Sequence, residues 1–280
     1  MCVIALLTDF GLSDVYVGVM KGVILGIHPT AQIIDITHDI QAQNVRLAAL
    51  ALRDSARYFA AGTIFVVVVD PGVGGERRPI AAQSGDYVFV APDNGVLSYA
   101  IEDLAAATLV ELTSTQHRLE PVSYTFHGRD IFAPAAAHLA AGVPIDQLGP
   151  RAADPVVLPQ PTLTVAAGRL VGEVVQIDHF GNIVTSIGPL RWTKPDEAIY
   201  LRIGSEHGLG VPISATDAQI TIDGQTINGI IRAYGAVARG TLLATIGSSG
   251  YLEVAINQGG AAARLDAAIG DMVELYTGVN

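Results

Sequence analysis

The sequence predicts an α/β N-terminal domain over residues 1–150, a proline-rich linker over 151–167 and a smaller all-β, barrel-like C-terminal domain over 168–280. Three observations predict it. Through the first part, short β-branched runs alternate with longer Ala/Leu-rich segments, the pattern of helices layered on a mostly parallel sheet. The stretch PRAADPVVLPQPTL then carries four prolines and no helical period. Beyond it the chain breaks into short, turn-separated runs with Gly-rich turns, as small barrels and sandwiches do.

The elements follow in order. Cys2–Leu7 is a strand, and Asp14–Ile27 a helix with Tyr16, Met20, Val23, Ile24 and Ile27 spaced along one face. Ile33–Ile36 is a second strand. Val45–Phe59 reads as an Ala/Leu-rich helix that Asn44 can cap through its side-chain oxygen. Ile64–Val69 is apolar throughout, as a central strand buried on both faces must be. Tyr87–Ala91 is another strand and Asp130–Ala141 another helix. After the prolines come Arg169–Gln176, Ile183–Ile187, Ala198–Ile203, Gln219–Ile222, Thr241–Ile246, Leu252–Ile256 and Met272–Tyr276. Their pairing is open between a barrel and a sandwich, and no internal repeat organises them.

Composition narrows the function classes. Half of the 280 residues are hydrophobic, enough for a sizeable core. Yet no apolar run approaches the ~20 residues that span a bilayer, so no membrane partner is expected. The opening MCVIALLTDFG has no basic region and places Asp9 early, which argues for a buried first strand over a signal peptide. A single cysteine, Cys2, excludes an intramolecular disulfide and a Cys-rich zinc site, and fits a cytoplasmic protein. The net charge of -11 argues against nucleic-acid binding, which relies on Lys and Arg at phosphates; it tolerates a cationic small molecule.

Polar residues gather where strands end. Thr8-Asp9-Phe10-Gly11 follows the first strand, Asp70-Pro71-Gly72-Val73-Gly74-Gly75-Glu76-Arg77-Arg78 follows the central one, and Phe126-His127-Gly128-Arg129-Asp130 precedes a helix. In open α/β sheets the carboxyl ends of the strands line the ligand crevice. Asp and Gly are also ordinary turn formers, so each cluster alone is equally a turn. The GVGG run lacks the G-x-G-x-x-G spacing of a dinucleotide loop. His38 and His138 sit among apolar neighbours and read as structural. His127 and Asp130 lie three apart, but no second His completes a metal site, and no metal is expected. In the second half, Asp178-His179-Phe180-Gly181-Asn182 sets an aromatic ring beside Asp and Asn, which suits an adenine-like base and equally a β-turn; Gly247-Ser248-Ser249-Gly250-Tyr251 follows later.

Taken together, LLTDFG, VDPGVGGERR, APDNG, TFHGRDIFAPAAAHLAAG, IDHFGNIVTSI and GSSGYLEVA resemble the S-adenosyl-L-methionine hydroxide adenosyltransferases, relatives of the fluorinases and chlorinases. The six segments stand in the family order from Leu6 to Ala255. The resemblance implies an α/β N-terminal domain, a barrel-like C-terminal domain and a homotrimer with sites at subunit interfaces. It also implies an activity: water cleaves S-adenosylmethionine, the substrate, to adenosine and L-methionine without a cofactor. By the same resemblance Asp70, Arg77 and His127 are the water-handling triad, and Asp9 holds the ribose. Asp178 and Ser248 hold the methionine end, Asn182 contacts adenine, and Phe180, Tyr234 and Tyr251 belong to the substrate pocket. Halogenating relatives carry an aromatic residue in place of Asp70 and Tyr-Ser in place of His127-Gly128. Only Gln83–Asp86 stands where the fluorinase has a long inserted loop. Ser249 replaces an arginine that the fluorinase presents to the methionine carboxylate.

The chemistry fits these residue types. A sulfonium leaves C5′ as a neutral thioether, so no general acid is needed. The burden falls on aligning a weak nucleophile, and orientation can contribute about 7–11 kcal/mol. Asp9 on the ribose hydroxyls would aim C5′. Asp70 would orient the water or take its proton, a role worth ~10²–10⁴-fold. Arg77 would compensate the carboxylate, and His127 would donate to the water oxygen. Three readings stand at this stage: hydrolysis, halogenation at C5′, and binding without turnover.

Overall fold

In the computed structural model, which describes residues 2–101, 103–104, 106–194, 198–202 and 210–279, the chain divides into two compact units, Met1–Pro159 and Gln160–Asn280. The first is built on six strands: β1 (Val3–Thr8), β2 (Gln32–Thr37), β3 (Ile64–Val68), β4 (Pro79–Ser84), β5 (Tyr87–Pro92) and β6 (Thr108–Glu111). Their order is β2-β1-β3-β5-β4-β6. The first four in that order run parallel, while β4 is antiparallel to both neighbours. The sheet is thus mixed, with the parallel part holding the strand ends that the polar clusters follow.

Alternation along the central strands builds two cores. Ile4 and Leu6 of β1, with Val66 and Val68 of β3, pack with Met20 and Ile24 of α1 (Tyr16–Ile27) and Ala133 and Ala136 of α3 (Ala133–Ala140). Ala5, Leu7, Phe65 and Val67 point to the other face, where α2 (Val45–Ala56) supplies Ala48 and Leu52. Every residue of β3 is buried, as its unbroken apolar run requires. The Asn44 side chain accepts from the Leu47 N–H at 2.9 Å and so caps α2.

Two departures from the sequence reading have physical causes. β6 was not expected, and β4, implied only as the strand before Gln83–Asp86, was given no range: PIAAQS opens with proline and holds one β-branched residue, and its extended state comes from the tight Gly85–Asp86 turn that pairs it with β5. The helix expected over Asp130–Ala141 begins as a π-helical turn at Gly128–Phe132, with the Ala133 N–H donating five residues back to Gly128. Pro134, without an N–H, cannot extend a regular helix bond backwards from there. Residues 151–167 are ordered on both sides of the unit boundary. Val156 and Leu158 N–H groups donate to Asp93 and Ser98, and β7 (Leu163–Ala166) is already a strand of the second unit.

Among its described residues the second unit is all-β but for one short helix, α4 (Ala261–Leu265), and a few 3₁₀ residues. Its strands continue as β8 (Arg169–Ile177), β9 (Ile183–Thr185), β10 (Leu190–Lys194), β11 (Ala198–Leu201), β12 (Val211–Ser214), β13 (Gln219–Ile222), β14 (Gln225–Asn228), β15 (Leu242–Ile246), β16 (Leu252–Ile256) and β17 (Met272–Tyr276). The main antiparallel sheet runs β14-β13-β17-β8-β9-β16-β15, with β7 also on β8. Its end strands β14 and β15 lie beside each other, so it nearly closes into a barrel. The interior is filled by Leu170, Val174, Ile220, Leu252, Val254 and Leu275 among others. β10, β11 and β12 form a separate antiparallel sheet. Of the run expected over Ala198–Ile203, Ile203 lies outside the described residues. Among those described, no helix is long and apolar enough to cross a membrane.

Candidate active site

Asp70 sits directly beyond β3, where the chain leaves the buried sheet for a turn. The Val73 N–H returns to the Asp70 carbonyl at 3.2 Å, and the Gly75 N–H to Gly72 at 3.0 Å. Asn94 of the APDNG segment pins the approach, its Nδ2 donating to the Val69 carbonyl at 2.9 Å. Gly74 has φ +74°, and a Cβ there would stand 2.1 Å from the Tyr124 carbonyl oxygen. Only glycine lets this turn lie against the segment that leads to His127.

That close approach brings three side chains together. Arg77 Nε donates to both Asp70 oxygens, at 2.9 and 3.0 Å, and Nη2 also donates to Oδ2. The same Nη2 lies 2.7 Å from His127 Nδ1. The Arg77 and Asp70 side chains are only 9% and 5% exposed, so the fork is well shielded. Because a guanidinium can only donate, Nδ1 must accept, which places the imidazole proton on Nε2. Burial lowers the His127 pKa below the usual histidine value, and Arg77 lowers it further; Asp70, Asp130 and a hydrogen bond with the Ser123 backbone act the other way. Asp130 itself is buried, forked by Arg129 and bonded by the Ser123 N–H at 2.8 Å, which fixes the loop before His127.

Asp9 joins the same cavity from the end of β1. The Gln43 N–H donates to its Oδ2 at 2.7 Å. The loop beneath is held by His38, whose carbonyl accepts from the Gly11 N–H at 2.7 Å and whose Nδ1 lies 2.8 Å from Thr8 Oγ1. His38 thus supports the loop that carries Asp9. The cavity holds about 370 Å³ and is lined by Asp9, Asp70 and His127, with Phe10, Tyr16 and Phe126 forming an aromatic wall of edge-to-face and tilted pairs. Gly128 makes room for that wall, since a Cβ there would meet Met20 Sδ at 3.1 Å and Phe126 at 3.3 Å.

The second unit carries the remaining candidates. Asp178 closes the turn between β8 and β9: its Oδ1 accepts from the N–H groups of Phe180 and Asn182, both at 2.8 Å, and its Oδ2 from Asn182 Nδ2 at 3.0 Å. The Phe180 ring is 75% exposed beside this turn. Ser248 and Ser249 lie in the turn between β15 and β16, which the Gly247 N–H closes onto the Tyr251 carbonyl at 2.9 Å. The half-buried Tyr251 ring packs where a Cβ on Gly188 would be. Tyr234 donates its hydroxyl to Glu253 Oε1 at 2.5 Å.

Family models match both units: the SAM hydroxide adenosyltransferase N-terminal domain over residues 4–149 and the C-terminal domain over 172–274. The chain belongs to the SAM hydroxide adenosyltransferase family. It is 37% identical to the (R)-S-adenosyl-L-methionine hydrolase of Salinispora tropica over 98% of each chain, and 36% identical to that of Thermus thermophilus over 91% of this chain and 92% of the other. A fluorinase from Nocardia brasiliensis is 30% identical over 91% and 90%. Among solved structures, an uncharacterized conserved protein from Thermotoga maritima shares the fold with a TM-score of 0.84 at 36% identity, covering 97% of this chain and 99% of its own. For this member of the SAM hydroxide adenosyltransferases, the sequence alone did not flag Phe10, Tyr16, Phe126, Gln43 or Glu253. Tyr16 read as one face of a helix, and Phe10 and Phe126 stood inside the candidate clusters without a role of their own, because only the folded cavity shows which ring faces it.

Proposed function

We propose that this protein hydrolyses S-adenosyl-L-methionine to adenosine and L-methionine by in-line attack of water or hydroxide at ribose C5′. One observation carries the choice of water: a shielded Asp70–Arg77–His127 set whose carboxylate lines the cavity. Asp9 holds the ribose hydroxyls. The water oxygen bonds C5′ as the C5′–S bond breaks, its electron pair leaves with sulfur, and the water proton passes to Asp70 and then to solvent. Arg77 fixes the carboxylate so that the water it holds is aimed along the C–S axis. The neutral His127 lines the cavity beside Asp70, its Nδ1 accepting from Arg77 and so holding the guanidinium that orients the carboxylate. In the second unit, Asp178 and Ser248 hold the methionine end, while Asn182, Phe180, Tyr234, Ser249 and Tyr251 shape the rest of the substrate pocket. The reaction calls for no cofactor, because the sulfonium is its own leaving group.

The relatives are named for the (R) sulfonium, so the assay uses the (R) and (S) epimers separately in ¹⁸O-labelled water, with chloride and fluoride also present. Adenosine and methionine should appear, with label in the 5′-hydroxyl and (R) consumed faster. A 5′-halo nucleoside as main product would move the protein to the fluorinase side of its relatives. Tight binding without adenosine release would leave a binding protein. Asp70→Asn should still bind substrate while kcat falls ~10²–10⁴-fold.

We also infer self-association as a homotrimer with sites at subunit interfaces. Val15 and Tyr124 support it, being 71% and 82% exposed and adjoining the cavity-lining Tyr16 and Thr125 in the chain. Light scattering that gave the 29.2 kDa of a single chain would remove this inference.

A further inference from the structure

Glu253 is a charged residue in an otherwise apolar strand. All five residues of β16 are buried, and Glu253 itself is 7% exposed. Such a side chain is costly to bury unless its oxygens are satisfied. Its backbone is held between strands on both sides, opposite Thr245 of β15 and Val184 of β9, so the direction of the carboxylate is set by the sheet. One oxygen, Oε1, accepts the Tyr234 hydroxyl at 2.5 Å. The other, Oε2, lies across Gly247, where a Cβ would stand only 2.7 Å away. Gly247 directly precedes Ser248. A single rigid carboxylate thus reaches both the aromatic residue and the serine turn that the proposed function assigns to the substrate.

The electrostatics agree with this division of roles. Burial and the neighbouring Glu253 and Asp178 raise the Tyr234 phenol well above its ordinary value, so it stays a hydrogen-bond donor. Burial raises the Glu253 carboxyl, and Asp178 raises it further, while the Tyr234 hydroxyl offsets this. Tyr234 is 43% exposed, and its hydroxyl is tied back to the sheet. An exposed ring fixed at its far end is a platform with little rotational freedom to lose when a flat base rests on it.

We propose that Glu253 is a positioning residue: it fixes the Tyr234 ring in the pose that receives the nucleoside, while its second oxygen packs against Gly247 of the turn that carries Ser248. It acts through these neighbours and takes no part in bond breaking. The inference rests on the assignment of Tyr234 to the substrate, and it names the residue that makes that assignment work.

The test compares Glu253→Ala, Glu253→Gln, Tyr234→Phe and the double variant Tyr234→Phe/Glu253→Ala, reading KM and kcat for S-adenosylmethionine and the Kd of adenosine by calorimetry. Glu253→Ala and Tyr234→Phe should each raise KM and Kd about tenfold, the scale of one charge-assisted hydrogen bond, with kcat changed less than about twofold. Glu253→Gln should recover most of the loss, because its amide oxygen still accepts the phenol. The double variant should be no worse than the poorer single one. Unchanged KM and Kd in Tyr234→Phe, effects that multiply in the double variant, or a lowered melting temperature with unchanged KM would each overturn the proposal. Should Glu253→Ala fail to fold, Glu253→Gln and Tyr234→Phe still decide it. Adenosine binding is read without turnover, so a protein that binds adenosine but leaves S-adenosylmethionine intact separates failure of the hydrolase reading from failure of this one.

Discussion

His127 has one nitrogen committed to Arg77, and that commitment gives the residue a pH dependence with a definite sign. Protonating Nδ1 would set an N–H against the Arg77 donor 2.7 Å away and place a second cation beside the guanidinium. Burial, then Arg77, accordingly lowers its pKa in the folded protein. As pH falls below about 6.5, the unfolded chain takes up this proton first, so stability declines until the folded histidine protonates as well. Activity should follow the folded-state value: kcat should hold through neutrality and drop on an acid limb whose midpoint lies below about 6.5. His127→Asn keeps a neutral acceptor for Arg77 and cannot protonate in this range. Its pH–kcat profile should lose that limb even though its plateau is lower. An acid limb that persists unmoved in His127→Asn would assign the titration to another group.

At the scale of elements, the readable parts are those whose own residues decide their state. β3 is written in Ile64 to Val68, and the α2 cap is written in Asn44, because burial on two faces and a side-chain acceptor are local properties. β4 and β14 are not. Pro79–Ser84 and Gln225–Asn228 become strands by pairing with partners that turns bring back, through Gly85–Asp86 and through Asp223–Gly224 with φ of +46° and +70°. The site divides in the same way. Motifs at strand ends mark Asp9, Asp70, Arg77 and His127, and their meeting depends on Gly74 and the π-helical turn after His127, which no local pattern announces. Glu253 did leave a signal, a carboxylate inside the buried run LEVAI, but its partner lies 19 residues earlier in a different kind of element.

The molecule as a whole carries a net charge of -11, while S-adenosylmethionine near neutrality carries a net +1 from its sulfonium, ammonium and carboxylate. Charge of this kind says nothing about fold, but it sets how often a small cation is found near the surface. Raising salt from ~0.01 to ~0.1 M shortens the Debye length from about 30 to about 10 Å, enough to screen most of the surface from a ligand at the cavity mouth. The short-range contacts of the shielded Asp70 and Arg77 side chains, and of His127 with Arg77, should change little over that interval. The expected result is a kcat/KM for S-adenosylmethionine that falls about two- to fivefold with added salt while kcat stays constant. Adenosine, which is neutral, provides the control, and its Kd should be flat across the same series. A flat kcat/KM would show that the acidic surface has no part in substrate capture, and a parallel loss of adenosine affinity would assign the salt effect to the protein instead of to the substrate's charge.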